Sequence, residues 1–246
     1  KKKISYIIHL AGQAGVRYSL KNPSSYIKNN IEAYIYLLEY FKNQRKLKLI
    51  LYASSSSVYG EELKSKSESY GKMISVYAVS KKTLEDISFV YHKIYRMNFI
   101  GMRFFTVYGP YGRPDMSIFK FFNSISRNKK IEVYNYGNHS RSFTYISDIV
   151  ENIHKLILYL KRNNKKYICR VVSIGNPNSI DLKYVIKLIE KFSYKKSKKK
   201  MLPLQTGDII KTRAKIKKEI AKYKFKFKVN IENGISNFSK WFFNER

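Results

Sequence analysis

The chain has 246 residues, of which 44% are hydrophobic, and it carries a formal net charge of +32 at pH 7. This length can bury a sizeable core in one large or two small domains, and charges interrupt every apolar stretch well before about 18 residues, so neither a membrane span nor a secretory signal is predicted. A single cysteine, Cys169, excludes an internal disulfide, and four scattered histidines leave no recognisable metal-ligand spacing. We expect a cytoplasmic protein without a metal site.

The positive charge comes mainly from lysine, spread from Lys1 to Lys240 alongside frequent isoleucine, asparagine, tyrosine and phenylalanine. A/T-rich coding would produce this composition, whereas nucleic-acid recognition surfaces tend to use arginine, which forks onto phosphates and base edges. Nucleic-acid binding is therefore a minor alternative. The dense run from Lys195 to Lys200 is interpreted as a solvated loop or loop edge.

Strand and helix patterns alternate over the first hundred residues. Buried strands are predicted at 4–12, 47–54 and 98–105, and helices at 25–43 and 75–96. This alternation predicts an α/β fold with a doubly wound parallel sheet of the Rossmann type and right-handed crossovers. The strand carboxyl ends, where such folds place their sites, fall at Ala11-Gly12, Ser54 to Ser57 and Phe105-Thr106.

From residue 106 the sequence becomes turn-rich and aromatic. Helices are predicted at about 117–129, 147–162 and 231–243, with a short strand near 131–135. We therefore expect a first domain over residues 1–105, with returns near 142–162, and a smaller, interleaved α/β domain mainly over residues 106–246.

A tyrosine and a lysine stand one helical turn apart in Tyr77-Ala78-Val79-Ser80-Lys81. On a helix they project from one face, so the ammonium can lie close to the phenol and favour its ionised form. Both residue types are abundant here, so the spacing alone is weak evidence and a solvated helix face is the alternative. The serines that end the preceding buried strand favour an active site, because strand ends in such folds face a crevice.

The ordered blocks of this chain resemble the extended short-chain dehydrogenase/reductases, the NAD-dependent epimerase/dehydratase family, and within it the UDP-glucuronate 4-epimerases. The resemblance covers nearly the whole chain. The matching blocks are His9-Leu10-Ala11-Gly12-Gln13-Ala14-Gly15-Val16-Arg17-Tyr18-Ser19, residues 52–60, 77–82, 103–116, 133–137, 143–150, Leu202-Pro203-Leu204-Gln205 and Gly207-Asp208.

The resemblance implies 4-epimerisation of a UDP-sugar, UDP-glucuronate to UDP-galacturonate, through a 4-keto intermediate that turns within the pocket. Tyr77 would take the proton of the sugar 4-hydroxyl, and Lys81 would lower the tyrosine pKa and hold the nicotinamide ribose. Ser55 would bond the reacting oxygen and Ser57 could assist. A helix cap or turn is the competing role for both serines.

The resemblance also implies NAD as the cofactor. Ala11, Gly12 and Asn30 would line its cleft together with Tyr77 and Lys81. Gly12 stands where the family usually has alanine, a change that small size should make tolerable.

Four further residues are implied in substrate binding. Thr106 and Arg113 resemble the pair that meets the sugar carboxylate, and Arg141 resembles the arginine that contacts the diphosphate. Arg17 could face either anion. For each arginine a structural salt bridge is the alternative. The resemblance further implies a homodimer through the helices at 25–43 and 75–96.

The departures from the family pattern lie mostly at the beginning of the chain. The phosphate cradle Gly-x-x-Gly-x-x-Gly and the acidic residue for the adenosine ribose do not occur in these residues. About three βα units, on the order of 70 to 90 residues, are expected to precede Lys1. We therefore expect an N-terminally truncated chain that does not retain NAD and is inactive by itself. Ser142 and Lys215 stand where the family commonly has aspartate.

Two alternatives stay open. One is another nucleotide-sugar epimerase, a 4,6-dehydratase or a decarboxylase of the same family. Dehydration ranks low because Ser56-Ser57 occupy the place of the Asp-Glu pair of dehydratases. The other alternative is a non-catalytic basic scaffold that binds nucleic acid through its lysines.

Overall fold

The computed structural model describes residues 4–60, 72–163, 167–205 and 207–245. The chain divides into two compact units. The first unit runs to Phe104 and includes Leu160–Ser173, and the second comprises Phe105–Tyr159 and the chain from Ile174 onward. The Tyr77–Lys81 pair belongs to the first unit.

The described residues form strands and helices in alternation. The strands are β1 (Tyr6–His9), β2 (Leu49–Ser55), β3 (Phe99–Phe104), β4 (Thr106–Tyr108), β5 (Ile131–Val133), β6 (Ser140–Arg141), β7 (Phe143–Tyr145), β8 (Cys169–Ile174), β9 (Ile180–Asp181) and β10 (Lys199–Met201). The α-helices are α1 (Val16–Lys21), α2 (Pro23–Tyr26), α3 (Ala33–Phe41), α4 (Val76–Tyr95), α5 (Ser117–Ser126), α6 (Ile146–Arg162), α7 (Leu182–Ser193), α8 (Lys217–Tyr223) and α9 (Ile231–Asn244). A π-helix spans Ile27–Glu32, and 3-10 helices span Ser56–Tyr59 and Tyr134–Gly137.

The first unit is built on a sheet with the strand order β1-β2-β3-β8. Strands β1, β2 and β3 pair in parallel, with Ile50 opposite Phe99 in the register of β2 and β3. A core that includes Tyr34, Leu38 and Leu84 packs around this sheet. The prediction of an α/β fold with a parallel Rossmann-type sheet is confirmed.

Helix α4, which carries Tyr77 and Lys81, has well-defined ends. It begins after Ser75, whose hydroxyl oxygen accepts a hydrogen bond of 3.1 Å from the Ala78 amide. It ends at Arg96, which adopts a left-handed φ of 58°. Because the N-cap lies two residues before Tyr77, the tyrosine stands in the first turn of the helix.

Two predicted elements of the first unit differ from the structure. The predicted helix 25–43 is continuous but passes through the π-helix Ile27–Glu32, where the side chain of Asn30 is drawn to partners elsewhere in the unit. The predicted buried strand at 4–12 is shorter, and Ile8 in β1 is 46% exposed. The reason is that β1 lies at the edge of the described sheet, so its side chains have fewer neighbours.

The second unit has its own aromatic core. Helices α5, α7 and α9 pack together, with Phe122, Phe238 and Trp241 among the buried side chains of the cluster. Short two-stranded pairs surround this core, with β4 parallel to β7, β5 parallel to β10 and β6 antiparallel to β9. Buried Asp148 on α6 accepts hydrogen bonds from the amides of Lys228 and Val229, which fixes the chain before α9.

The chain returns to the first unit later than the sequence suggested. The returning segment is Leu160–Ser173, whereas the sequence analysis placed the return near 142–162. The physical reason is strand pairing, because β8 joins the four-stranded sheet beside β3, while β7 and most of α6 belong to the second unit. Among the described residues, no helix is long and apolar enough to cross a membrane.

Candidate active site

Tyr77 and Lys81 lie on one face of α4, and the lysine is directed into the unit. Lys81 is only 5% exposed, and its ammonium donates a hydrogen bond of 2.9 Å to the carbonyl oxygen of Ala53 in β2. Burial lowers the pKa of Lys81 from 10.5 to about 8. Tyr77 is half-buried one turn before it. The lysine therefore joins the helix to the strand that leads to the predicted catalytic serines.

Ser55 and Ser57 stand at the carboxyl end of β2. The Ser55 hydroxyl accepts a hydrogen bond from the Ser57 amide (3.1 Å) and donates one to the Ser57 hydroxyl (3.2 Å). Ser55 thus caps the 3-10 helix Ser56–Tyr59, which is the alternative role that the sequence left open. Ser55 is buried and Ser57 is half-buried. A hydroxyl that caps a short helix is held in place, so capping and catalysis are compatible.

The loop after β1 is fastened by Asn30. The Asn30 amide group donates to the Gln13 carbonyl (3.0 Å) and to the Ser80 hydroxyl on α4 (2.9 Å), and its oxygen accepts from the Gln13 amide (2.7 Å). Gly12 adopts a φ of +151°, and a Cβ there would lie 2.7 Å from the Asn30 Oδ1 atom and 3.6 Å from the Lys81 Nζ atom. Gly12, Asn30 and Lys81 therefore lie close together.

Glycine at position 12 adopts a backbone conformation that disfavours a side chain in this chain. The positive φ and the contact with Asn30 Oδ1 leave no room for a methyl group. A side chain at position 12 would therefore strain this loop, whereas glycine fits it.

Tyr26 supports both the loop and the tyrosine of the pair. Its hydroxyl donates to the carbonyl oxygens of Ala14 (3.1 Å) and Gly15 (2.6 Å), and its ring meets the Tyr77 ring edge-on at 6.1 Å between centroids. Tyr26 is fully buried. It therefore holds the loop 14–15 and limits the positions open to the Tyr77 ring.

His9 at the end of β1 completes the surroundings of Lys81. Its ring stacks on Tyr34 at 5.2 Å, and its Nε2 atom is buried without a hydrogen-bond partner. Burial, and secondarily the charge of Lys81, lower the pKa of His9. A neutral imidazole here adds no second positive charge beside the lysine.

The other predicted residues are placed as follows. Ala11 and Arg17 of the first unit are exposed, in the loop after β1 and on α1. Thr106, Arg113 and Arg141 belong to the second unit. Arg113 forms a fork-like ion pair with Asp115, with 2.9 Å from Nε to Oδ1 and 2.5 Å from Nη2 to Oδ2, which is the salt bridge that the sequence left as the alternative.

Arg141 also makes contacts within its own unit. Its Nη1 atom donates to the carbonyl oxygens of Ser140 (3.0 Å) and Ile210 (2.8 Å). Ser142, in the place where the family commonly has aspartate, is fully buried and donates to the Asn176 carbonyl. The buried Ser142 hydroxyl thus has a hydrogen-bond partner, a backbone carbonyl, and needs no charged group.

Comparison with known proteins assigns the chain to a family. A model of the NAD dependent epimerase/dehydratase family matches residues 1–175. The chain belongs to this family. It is 46% identical over 244 residues to an uncharacterized protein of Methanocaldococcus jannaschii, covering 98% of this chain and 73% of that protein. It is 38% identical to UDP-glucuronate 4-epimerase 5 of Arabidopsis thaliana, covering 97% of this chain and 58% of the relative.

Solved structures of this epimerase/dehydratase family share the fold. UDP-glucuronic acid 4-epimerase from Bacillus cereus, crystallised with UDP-glucuronic acid and NAD, is 31% identical and superposes with a TM-score of 0.87. The match covers 97% of this chain and 75% of the Bacillus cereus chain. The resemblance stated from the sequence blocks is therefore confirmed.

Four residues without a predicted role fasten the elements around the site. Glu85 and Arg103 form a buried ion pair, and Tyr26 and Ser80 fasten the loop after β1. Glu85 carried a detectable signal, because it follows Lys81 by four residues and so shares its helix face. Among the described residues, no cluster of three or more His, Cys, Asp or Glu side chains could hold a metal ion.

Proposed function

We propose that this chain carries the proton-transfer part of an NAD-dependent UDP-sugar 4-epimerase whose substrate is UDP-glucuronate. The observation that carries the proposal is the buried Lys81, one helical turn from Tyr77, whose ammonium is fixed on the Ala53 carbonyl two residues before the capping Ser55. A phenol beside an ammonium in a partly dry site is a base suited to the proton of a sugar hydroxyl.

In the proposed reaction, Tyr77 accepts the proton of the 4-hydroxyl and later returns it to the inverted oxygen. Ser55 turns its hydroxyl proton from Ser57 Oγ to the reacting oxygen. Lys81, whose pKa of about 8 keeps it mostly protonated at pH 7, favours the phenolate. The sugar passes through a 4-keto form, and the nicotinamide supplies reversible hydride transfer when it is bound. Because the proton returns to the substrate, the residues need no proton exchange with solvent.

The residues present fit the nicotinamide end of NAD. Gly12 brings its backbone close to Lys81 without a side chain in between. Asn30 fixes the loop after β1 through three hydrogen bonds, two with Gln13 and one with Ser80. Lys81 would hold the ribose hydroxyls with the two ammonium protons that Ala53 does not use. The glycine-rich cradle for the pyrophosphate is not among the 246 residues, so we expect the chain alone to bind NAD weakly.

The proposed substrate is a sugar acid because of Arg113 and Thr106. Arg113 already presents its guanidinium fork to a carboxylate, that of Asp115, and both side chains are substantially exposed. An exposed pair of this kind is weak, so a substrate carboxylate can take over the fork at little cost. Arg141 would contact the diphosphate.

The test is interconversion of UDP-glucuronate and UDP-galacturonate by protein expressed from the gene that encodes this chain, with NAD supplied. Tyr77→Phe should lower kcat by about 10²- to 10⁴-fold, the range for loss of a general base. The matched control is Tyr91→Phe on the same helix, whose hydroxyl donates to Glu39 and not to the site. Full activity of Tyr77→Phe would refute the proposal, and salt-dependent retention on DNA without nicotinamide binding would favour the scaffold alternative.

We also propose that the functional form is a homodimer. Helices α3 and α4 expose apolar side chains that a second copy would cover, namely Tyr36, Tyr40, Phe89, Val90 and Ile94, each at least 49% exposed. Two copies can cover the same patch reciprocally in a two-fold interface. Light scattering of the wild-type protein should give about twice the monomer mass. The double variant Phe89→Glu, Ile94→Glu should be monomeric. Wild-type protein that is monomeric at high concentration would contradict the proposal.

A further inference from the structure

A buried ion pair lies on the same face of α4 as Tyr77 and Lys81. Glu85 follows Lys81 by one helical turn, and its side chain is 5% exposed. Arg103 at the end of β3, 7% exposed, donates to both carboxylate oxygens, with 2.8 Å from Nε to Oε1 and 2.6 Å from Nη2 to Oε2. Ser54 in β2 donates to the same Oε1 atom at 2.6 Å. One carboxylate therefore joins α4 to the carboxyl ends of two strands.

Arg103 has a second contact besides Glu85. Its guanidinium lies over the Tyr59 ring at 4.7 Å, and the Tyr59 hydroxyl is 2.7 Å from the Ser173 hydroxyl in β8. Burial alone would lower the pKa of Arg103, but the hydrogen bonds and charge of Glu85 raise it above its ordinary value. The guanidinium is therefore a permanent positive charge at this position.

A buried ion pair is a poor device for stability, since the cost of removing both charges from water offsets most of their attraction. An apolar pair of similar volume would anchor the helix equally well. Loss of one member alone would leave an uncompensated buried charge, and Lys81 and Tyr77 are the nearest ionisable groups on the same helix face.

We propose that Arg103 acts through Glu85 as a positioning and charge-compensating residue that keeps Tyr77 able to ionise. Glu85 fixes α4 on β2 and β3, and Arg103 cancels the negative charge that Glu85 would otherwise direct along the helix face toward the phenol. The inference rests on the proposed function, in which Tyr77 is the base. Neither residue touches the substrate in this role.

The size of the effect follows from the helix geometry. Glu85 and Tyr77 are two turns apart, about 12 Å along the axis. At an effective dielectric constant of about 20, an uncompensated charge at this distance would move the titration midpoint of the phenol by about one pH unit. An unpaired carboxylate raises the midpoint, and an unpaired guanidinium lowers it.

The other ionisable groups near this helix face are the same with the ion pair intact and with one of its charges removed. On the elements packed against α4, the buried ones are Tyr26, Tyr34 and Tyr52. Half-buried His9 lies beside Lys81, and the exposed Tyr59 lies beside Arg103. The charged groups of α1, the π-helix and α3 are exposed, namely Arg17, Lys21, Lys28, Glu32 and Glu39. Exposed charges are screened by solvent and salt.

The experiment is a pH titration of Tyr77 by NMR in the 246-residue chain labelled with 13C at the tyrosine ζ carbon. Tyr77→Phe assigns the resonance. Relative to wild type, Arg103→Met should raise the Tyr77 midpoint by about one pH unit, Glu85→Gln should lower it by a similar amount, and the double variant should return it to within about 0.3 units. Asp86→Asn is the control, because Asp86 is 64% exposed and pairs with Lys82 on the outer face of α4.

A purely structural role would move the midpoint in one direction in all three variants, or not at all, and either result would overturn the proposal. Should Arg103→Met fail to fold, Glu85→Gln and the double variant still decide between the two outcomes. Lys81→Gln separates this inference from the proposed function. A midpoint equal to that of wild type in Lys81→Gln would remove the basis for Tyr77 as the base, whatever the ion pair does.

Discussion

Lys81 offers a prediction that needs neither cofactor nor substrate. Replacing it by methionine should stabilise the chain at pH 7, although the lysine is proposed to be essential for activity. The side chain is 5% exposed, so its charged form sits in a partly dry environment for which the Ala53 carbonyl compensates only in part. Methionine keeps the length of the side chain without its charge.

The magnitude follows from the pKa of Lys81, which burial lowers from 10.5 to about 8. At about 1.4 kcal/mol for each pKa unit, the buried charge costs about 3 kcal/mol at pH 7. Loss of the charge-assisted hydrogen bond to Ala53 offsets about 1.5 kcal/mol of the stability gained by removing the charge. The net gain of about 1.5 kcal/mol corresponds to a rise in Tm of about 3–6 °C for a chain of this size.

The pH dependence has a definite sign. In the folded chain Lys81 loses its proton near pH 8, whereas the unfolded chain keeps it to about 10.5. The unfolded state therefore binds more protons between these values, so the stability of wild type rises over this range while that of Lys81→Met does not. The advantage of Lys81→Met, about 1.5 kcal/mol at pH 7, should therefore vanish near pH 9 and reverse above it, because wild type gains about 1.4 kcal/mol per pH unit over this range.

The assay is urea unfolding followed by circular dichroism at pH 7 and pH 10. Lys82→Met is the matched control, because Lys82 pairs with Asp86 on the outer side of the same helix, and its loss should cost at most about 0.5 kcal/mol without a rise in stability above pH 8. The reasoning is refuted if Lys81→Met is less stable than wild type at pH 7, or if its advantage is as large at pH 10 as at pH 7.

Three further outcomes are expected. Gly12→Ala should lower the free energy of unfolding by about 1–2 kcal/mol, because the φ of residue 12 is +151° and the methyl group would meet Asn30. Urea unfolding measures this loss. An unchanged urea midpoint would show that the loop has another conformation. Tyr26→Phe should cost about 1–2 kcal/mol, because the carbonyl oxygens of Ala14 and Gly15 lose the one hydroxyl proton that they share. Faster hydrogen exchange confined to the loop 14–15 should accompany this loss. Arg113→Gln should raise KM for UDP-glucuronate by about tenfold or more, as expected for a lost charged contact of about 1.5–3 kcal/mol. The KM for UDP-glucose, which has no carboxylate, should stay nearly unchanged. Equal effects on both substrates would contradict carboxylate binding.

The predictable parts of the fold are those that depend on local pattern. Helix α4 was placed to within one residue, since its apolar spacing and the capping Ser75 are both local signals. The π-helix Ile27–Glu32 was missed because Asn30 reaches Gln13 and Ser80, which lie 17 and 50 residues away in the chain. The exposure of Ile8 depends on the position of β1 at the edge of the described sheet and not on the composition of the strand.

The candidate site divides in the same way. The sequence by itself determined that Tyr77 and Lys81 share a helix face, because a spacing of four residues is nearly one turn, and its ordered blocks determined the family. Only the tertiary structure decided that Lys81 is buried against Ala53, that Glu85 is paired with Arg103, and that Gly12 has no room for a methyl group. Periodicity fixes the direction in which a side chain points, but its partner comes from a distant part of the chain, and the charge of that partner controls the chemistry.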